Sequence, residues 1–222
     1  DYIQYLNHQI EVCHDEEVEL EALKRRGAVA LNDLHDEMVA IESWERALDL
    51  SPSDTDSASA LLPLYRQNEE WPKLIVALSV CYQNMLDLLK EEGDVESILT
   101  EEFEAIALEL VETQERLSQY TEAFNVTLQR LTLNPEDNQQ LDTATRLAAL
   151  TEPRLEYSLV DFLDTLPFDQ MSINGVASVL WRAAELLTTP LQEHERAVEK
   201  YLSYREVAPS IELGDQALKP LA

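Results

Sequence analysis

The chain has 222 residues and a formal net charge of −28, from 44 acidic against 16 basic residues. Nucleic acid is excluded as a partner, because its binding proteins carry clustered lysine and arginine. Four glycines against nine prolines, with 45% hydrophobic residues, disfavour hairpin-rich β folds and glycine-rich phosphate loops. They favour a core built from helices with short connections.

The opening stretch, from Tyr2 to Val12, has the pattern of a helix. We interpret residues 1–15 as the second helix of a repeat whose first helix lies upstream. On this interpretation the chain is a segment of a longer array of similar units.

The first complete predicted repeat covers residues 16–53. Apolar residues recur in its first half at the spacing of a helix: Val18, Leu20, Ala22, Leu23, Val29, Ala30 and Leu31. Asp36 is expected to cap a second helix that runs to Leu50 and ends before Pro52, because proline cannot continue a helix. Two antiparallel helices in about 34 residues match the size of a helix-turn-helix repeat.

The second of these helices carries a specific resemblance. Ala40, Trp44, Ala47 and Pro52 stand where the tetratricopeptide repeat (TPR) family has a small residue, an aromatic, a second small residue and a closing proline. The segment therefore resembles the second helix of a TPR unit. The resemblance implies an all-α fold, a right-handed α-solenoid of antiparallel helix pairs.

The pattern continues along the rest of the chain, most clearly over residues 20–82 and 178–209. The five-residue sequence from Ala60 to Leu64 recurs 157 residues later as Ala217 to Leu221, with Lys219 in place of Leu62. The further predicted units are a repeat at 54–94, a repeat at 95–136, a degenerate repeat at 137–170, a repeat at 171–209 and the start of another at 210–222.

No chemistry-bearing motif stands out from this helical background. The longest apolar run, from Leu74 to Leu78, is far shorter than the roughly 20 residues of a membrane span, so we expect no membrane insertion. Cys13 and His14 are adjacent and lack the spacing of metal ligands, and Cys81 lies in an apolar helical stripe and suits packing. We therefore expect no enzyme, no metal and no cofactor within these residues.

The TPR resemblance implies that first helices line a groove that holds a peptide or a partner protein. Alignment to the family gives these groove candidates: Arg25, Asn32, Ser59, Arg66, Glu112, Glu115, Arg116 and Arg182. The arginines have two interpretations: they bind a carboxylate or the carbonyls of an extended ligand, or each pairs with an acid on its own chain. Val29 and Pro63 replace asparagines of the family's chaperone-tail clamp, which argues against that ligand.

Three functional hypotheses remain open. The first is a non-catalytic protein–protein interaction scaffold; the alternative is a sensor or regulatory arm for an effector domain outside this segment. A mainly architectural spacer is the third. The net charge is explained either by a basic partner that it attracts or by solubility and habitat. Two cysteines are compatible with the cytoplasm, and the compartment is otherwise open.

Overall fold

The computed structural model describes residues 2–12, 15–92 and 101–208, and the regular structure of these residues is entirely helical. The all-α prediction is therefore confirmed. The helices are α1 (Tyr2–Val12), α2 (Glu16–Asn32), α3 (Glu37–Leu50), α4 (Thr55–Gln67), α5 (Trp71–Glu92), α6 (Glu101–Arg116), α7 (Tyr120–Leu133), α8 (Asn138–Leu150), α9 (Glu156–Leu163), α10 (Ile173–Thr188) and α11 (His194–Val207), with a 3-10 turn at Phe168–Gln170.

Side-chain caps set the beginning of many of these helices. The Asp36 carboxylate accepts a hydrogen bond from the Val39 amide at 3.1 Å, as the sequence predicts. Asp15, Asp54, Asp137 and Ser172 cap their helices in the same way. Each cap pairs a backbone N–H that has no partner within the helix.

Two helices form where the repeat pattern fades, between Asn138 and Asp169. They are α8 and the shorter α9, and the loop between them is held by a hydrogen bond from the Leu155 amide to the Ala148 carbonyl at 3.0 Å. Leu141, Leu147 and Leu159 are fully buried. The apolar periodicity there was thus sufficient to form helices.

The contacts divide the chain into two compact units, Asp1–Leu117 and Ser118–Ala222. In the first unit each of the helices α1 to α6 packs on the next, and in the second unit α7 to α11 do the same. The boundary falls inside the predicted repeat at 95–136. We describe each unit by itself.

The core of the first unit uses the residues that carry the repeat pattern. Leu6 and Ile10 of α1 pack on Ala22 and Leu23 of α2. On α3, Ala40 and Ala47 are fully buried, and Trp44 between them is only 6% exposed. Small residues on α3 therefore permit close helix approach, and the indole fills the space between neighbouring helices.

The core of the second unit contains a cluster of three aromatic side chains. The Trp181 ring of α10 meets Tyr201 and Tyr204 of α11 edge-to-face, with centroids 5.3 and 5.6 Å apart. Tyr204 stands where the repeat pattern places a small residue, and its ring is buried. This bulky side chain occupies space beside Trp181 that a small residue would leave open.

Some sequence predictions fall outside the described residues. They concern the expected absence of a metal site at Cys13 and His14 and the start of a repeat at 210–222. Cys81 lies within the described part and is buried, 2% exposed.

Candidate partner-binding groove

The groove candidates of the first unit lie on α2, α4 and α6. Arg66 of α4 donates from Nε to Glu109 Oε1 and from Nη2 to Glu109 Oε2, both at 2.6 Å. This bidentate pair joins α4 to α6. Lys24 makes the corresponding link from α2 to α4, with Nζ 3.2 Å from Asp54 and 2.6 Å from Asp56. Basic side chains of this unit therefore link α2 to α4 and α4 to α6.

Two further candidates are engaged with groups on α5. The Arg116 guanidinium lies over the Trp71 ring, 4.2 Å from its centroid, in cation–π geometry. Ser59 Oγ lies 3.5 Å from Cys81 Sγ. Burial raises the pKa of the Cys81 thiol, which keeps it in the unreactive protonated form and suits a packing role.

The remaining candidates of the first unit do not converge. Arg25 is exposed and lines a depression of about 310 Å³ between α1 and α2, together with Gln9 and Glu21. Asn32 and Glu112 are exposed, and Glu115 is half-buried. The structure therefore scatters these residues over several surfaces.

In the second unit a groove runs between α8 and α10, and Arg182 lies at its centre. Near the beginning of both helices the groove opens into a pocket of about 370 Å³, which we call the aromatic pocket. Its lining residues are Asn138, Leu141, Asn174, Ala177, Ser178, Trp181, Arg182 and Tyr204. It combines two aromatic rings with amide and hydroxyl groups, the composition of a binding pocket.

Toward the other end of α10 the groove opens into a second pocket of about 280 Å³, which we call the acidic pocket after the buried carboxylate of Glu156 in its wall. Its lining residues are Thr145, Ala149, Arg154, Glu156, Arg182, Glu185, Leu186, Thr189 and Pro190. Arg182 lines both pockets, so they are parts of one groove. From Asn174 to Thr189 the α10 side of this groove is roughly 22 Å long at 1.5 Å per residue.

Ion pairs connect the charged residues along the α8–α10 groove. Arg182 donates to Asp142, and its Nη1 lies 3.7 Å from Glu185 Oε2. Arg154 Nη1 lies 3.5 Å from Glu156 Oε1. The acidic pocket is thus lined by two guanidinium groups and two carboxylates, while Asp142, which lines neither pocket, pairs with Arg182.

Glu156 differs from the other acids because it is buried, with 3% of its surface exposed. Its Oε1 atom has no hydrogen-bond partner, although Arg154 is within ion-pair distance. A buried acceptor without a donor costs free energy that a hydrogen bond would recover. Arg154 is a weak partner here, since its side chain is 68% exposed.

A larger cleft, of about 530 Å³, lies along α5 in the first unit. Ile75, Val76 and Val80 supply its apolar wall, and Pro52 and Ser53 close one side. No arginine or aromatic ring lines this cleft, and Asp87 is its charged residue. The α8–α10 groove offers the greater variety of interacting groups and contains a residue predicted from the sequence.

Sequence reasoning found Arg182 but missed most of its neighbours. Asn138, Asn174 and Glu156 carried no signal, because the contact between α8 and α10 joins segments about 40 residues apart. Tyr204 did carry a signal. It departs from the small residue of the repeat pattern, and such a departure indicates a locally different surface.

Among residues 2–12, 15–92 and 101–208, no three histidine, cysteine, aspartate or glutamate side chains gather as metal ligands would. In the same ranges no helix combines the length and the apolar character that crossing a membrane requires. Neither the profiles of protein families nor the sequences of curated proteins match this chain.

Proposed function

We propose that the chain is a non-catalytic protein–protein interaction scaffold that holds an extended peptide segment of a partner in the α8–α10 groove. We further propose that its helices form TPR-like antiparallel pairs in a right-handed α-solenoid. The recurring pattern of small, aromatic and proline residues supports that pairing, as do helices that pack on their sequence neighbours within each unit.

The observation that carries the proposal is the position of Arg182 between two pockets of the same groove. Its guanidinium is held by Asp142, and 28% of the side chain is exposed, so its remaining N–H groups are placed to donate to peptide carbonyls. Trp181 beside it supplies the apolar surface. Tryptophan and arginine are enriched among the residues that dominate binding energies at protein interfaces.

The dimensions of the groove suit an extended chain. A groove of roughly 22 Å accommodates about six residues at 3.3 Å per residue. An apolar or aromatic side chain of the peptide would enter the aromatic pocket and pack against Trp181 and Leu141, which line it. Asn138 and Asn174 would supply amide groups for the peptide backbone at that end.

The test begins with selection of peptides that bind the whole chain from a displayed library of random decamers. Titration calorimetry then compares the selected peptides on the wild type and on the variants Arg182→Ala and Ser178→Arg. Ser178→Arg fills the aromatic pocket from its half-buried wall. We expect each variant to weaken binding by about tenfold or more, the loss typical of a central interface residue.

Arg205→Ala is the matched control, since Arg205 is exposed on α11 and does not line either pocket. It should leave the affinity unchanged. Circular dichroism of each variant confirms that the helices persist. Equal affinity of the selected peptides for wild type, Arg182→Ala and Ser178→Arg would refute the groove as the binding site.

A further inference from the structure

We propose that Glu156 binds a basic side chain, lysine or arginine, of the peptide that occupies the α8–α10 groove. This inference rests on the proposed function and adds to it the chemical class of the ligand. It begins from the buried Oε1 atom of Glu156, which lies in the wall of the acidic pocket and lacks a hydrogen-bond donor.

The acidic pocket is large enough for one long side chain, with a volume of about 280 Å³. Leu186, Ala149 and Pro190 give it apolar walls. The methylene groups of lysine or arginine would pack on these walls while the charged end reaches Glu156.

The charges of the pocket and of the whole chain also favour a basic ligand side chain. Glu156 and Glu185 balance Arg154 and Arg182 in the lining of the acidic pocket, so a ligand cation that displaces Arg154 keeps the pocket neutral. The whole chain carries a net charge of −28, which also attracts a basic peptide. A ligand ammonium would form a charge-assisted hydrogen bond, which is stronger than a neutral one.

Arg154 is the group that the ligand replaces. Its Nη1 lies 3.5 Å from Glu156 Oε1, but the pair does not form a hydrogen bond. Because the arginine side chain is largely exposed, holding it in place contributes little free energy. A basic ligand side chain can therefore take its position beside the carboxylate.

The spacing of the two pockets sets the register of the peptide. Ala177 in the aromatic pocket and Leu186 in the acidic pocket are nine residues apart on α10, or roughly 13 Å. This corresponds to about four residues of an extended peptide. The peptide should therefore carry an aromatic and a basic residue three or four positions apart.

The test uses fluorescein-labelled octapeptide libraries and the full chain, with binding measured by fluorescence anisotropy. Each library fixes phenylalanine and lysine three or four positions apart, in either order. The matched libraries carry norleucine, which has no charge, in place of lysine. We expect the wild type to bind the lysine libraries about tenfold more tightly than the norleucine libraries.

Glu156→Gln should abolish the preference for lysine, whereas Glu199→Gln, a change of the same charge on the exposed face of α11, should retain it. Arg154→Ala should raise the preference about threefold, because it removes a weak competitor. This increase cannot result from damage to the fold, so it keeps the proposal testable if Glu156→Gln fails to fold.

Three outcomes overturn the proposal. Equal binding of the lysine and norleucine libraries that is still lost in Ser178→Arg would overturn the role of Glu156 and leave the groove intact. A lysine preference that survives Glu156→Gln would do the same. Absence of any binding sensitive to Ser178→Arg would overturn the proposed function together with this inference.

Discussion

The indole ring of Trp44 packs directly on Gly27: a Cβ atom at residue 27 would lie 2.6 Å from Trp44 Cε2 and 2.7 Å from Nε1. Real Cβ atoms do not approach a ring this closely, and the indole is too rigid to move aside cheaply. Gly27 is therefore the position at which α2 and α3 can approach with the indole between them.

Gly27→Ala should destabilise the chain for this reason. Overpacking of a core typically costs about 1–3 kcal/mol, and the higher helix propensity of alanine recovers at most about 1 kcal/mol of it. Urea unfolding, followed by circular dichroism, would measure the net loss. In the double variant Gly27→Ala, Trp44→Leu the two effects should not add, since leucine vacates the space. An unchanged or increased unfolding midpoint for Gly27→Ala would contradict the packing described.

The Arg66–Glu109 pair should couple α4 and α6 weakly. Arg66 is 44% exposed and Glu109 29% exposed, so water and salt screen their attraction. A double-mutant cycle with Arg66→Ala and Glu109→Ala is expected to give a coupling of about 0.5–1 kcal/mol at low salt. The coupling should fall in 1 M NaCl. A coupling that is independent of salt would exclude a screened ion pair.

Asp54 should contribute to stability in two ways, as a helix cap and as a partner of Lys24. Burial raises the pKa of Asp54, but hydrogen bonds from Ser57 and Lys24 outweigh it and hold this pKa below its usual value. Asp54→Ala removes both interactions and should cost about 1–2 kcal/mol. Asp54→Asn keeps a capping oxygen and should cost less, as measured by thermal unfolding.

Asp56→Asn is the matched control, because Asp56 contacts Lys24 at 2.6 Å without capping the helix. It should change the free energy of unfolding by less than about 0.5 kcal/mol. A cost equal to that of Asp54→Ala would show that the ion pair, rather than the cap, stabilises α4.

Glu136 should make the second unit sensitive to acid. Its carboxylate accepts hydrogen bonds from the hydroxyl and the amide of Ser172, and these bonds lower the pKa of Glu136. A lowered pKa in the folded state means that the stabilisation is complete above the ordinary value of 4.5 and is lost as the pH falls through the folded value. Melting temperatures should therefore decline more steeply below pH 4.5 in wild type than in Glu136→Gln.

Glu122→Gln serves as the control for that comparison, since Glu122 is exposed on α7. It should reproduce the wild-type dependence on pH. Identical acid profiles for wild type and Glu136→Gln would exclude the bond to Ser172 as a source of acid sensitivity.

The fold was predictable because helices are encoded locally. The apolar spacing gave α1 as Tyr2–Val12 and the capping chemistry placed the start of α3 at Asp36. The composition of the groove was not predictable in the same way. Whether Glu156 is buried or exposed depends on how α8, α9 and α10 pack, and a residue's own sequence neighbourhood does not specify such contacts.

The contacts of the arginines could not be predicted from the sequence either. The sequence left open whether they bind a ligand or pair with acids on the chain. In the structure Arg66 and Arg182 pair with Glu109 and Asp142, acids 43 and 40 residues away. Arg116 instead lies on an aromatic ring, an arrangement that charge counting alone could not predict.

Chemical-shift mapping is the most direct test of the central claim, that a peptide binds between α8 and α10. The amide and methyl resonances of the whole chain are recorded with and without a selected peptide. We predict that the largest changes lie at Ala177, Leu186 and the indole of Trp181. Changes confined to the cleft on α5, at Val76 and Val80, would contradict the claim.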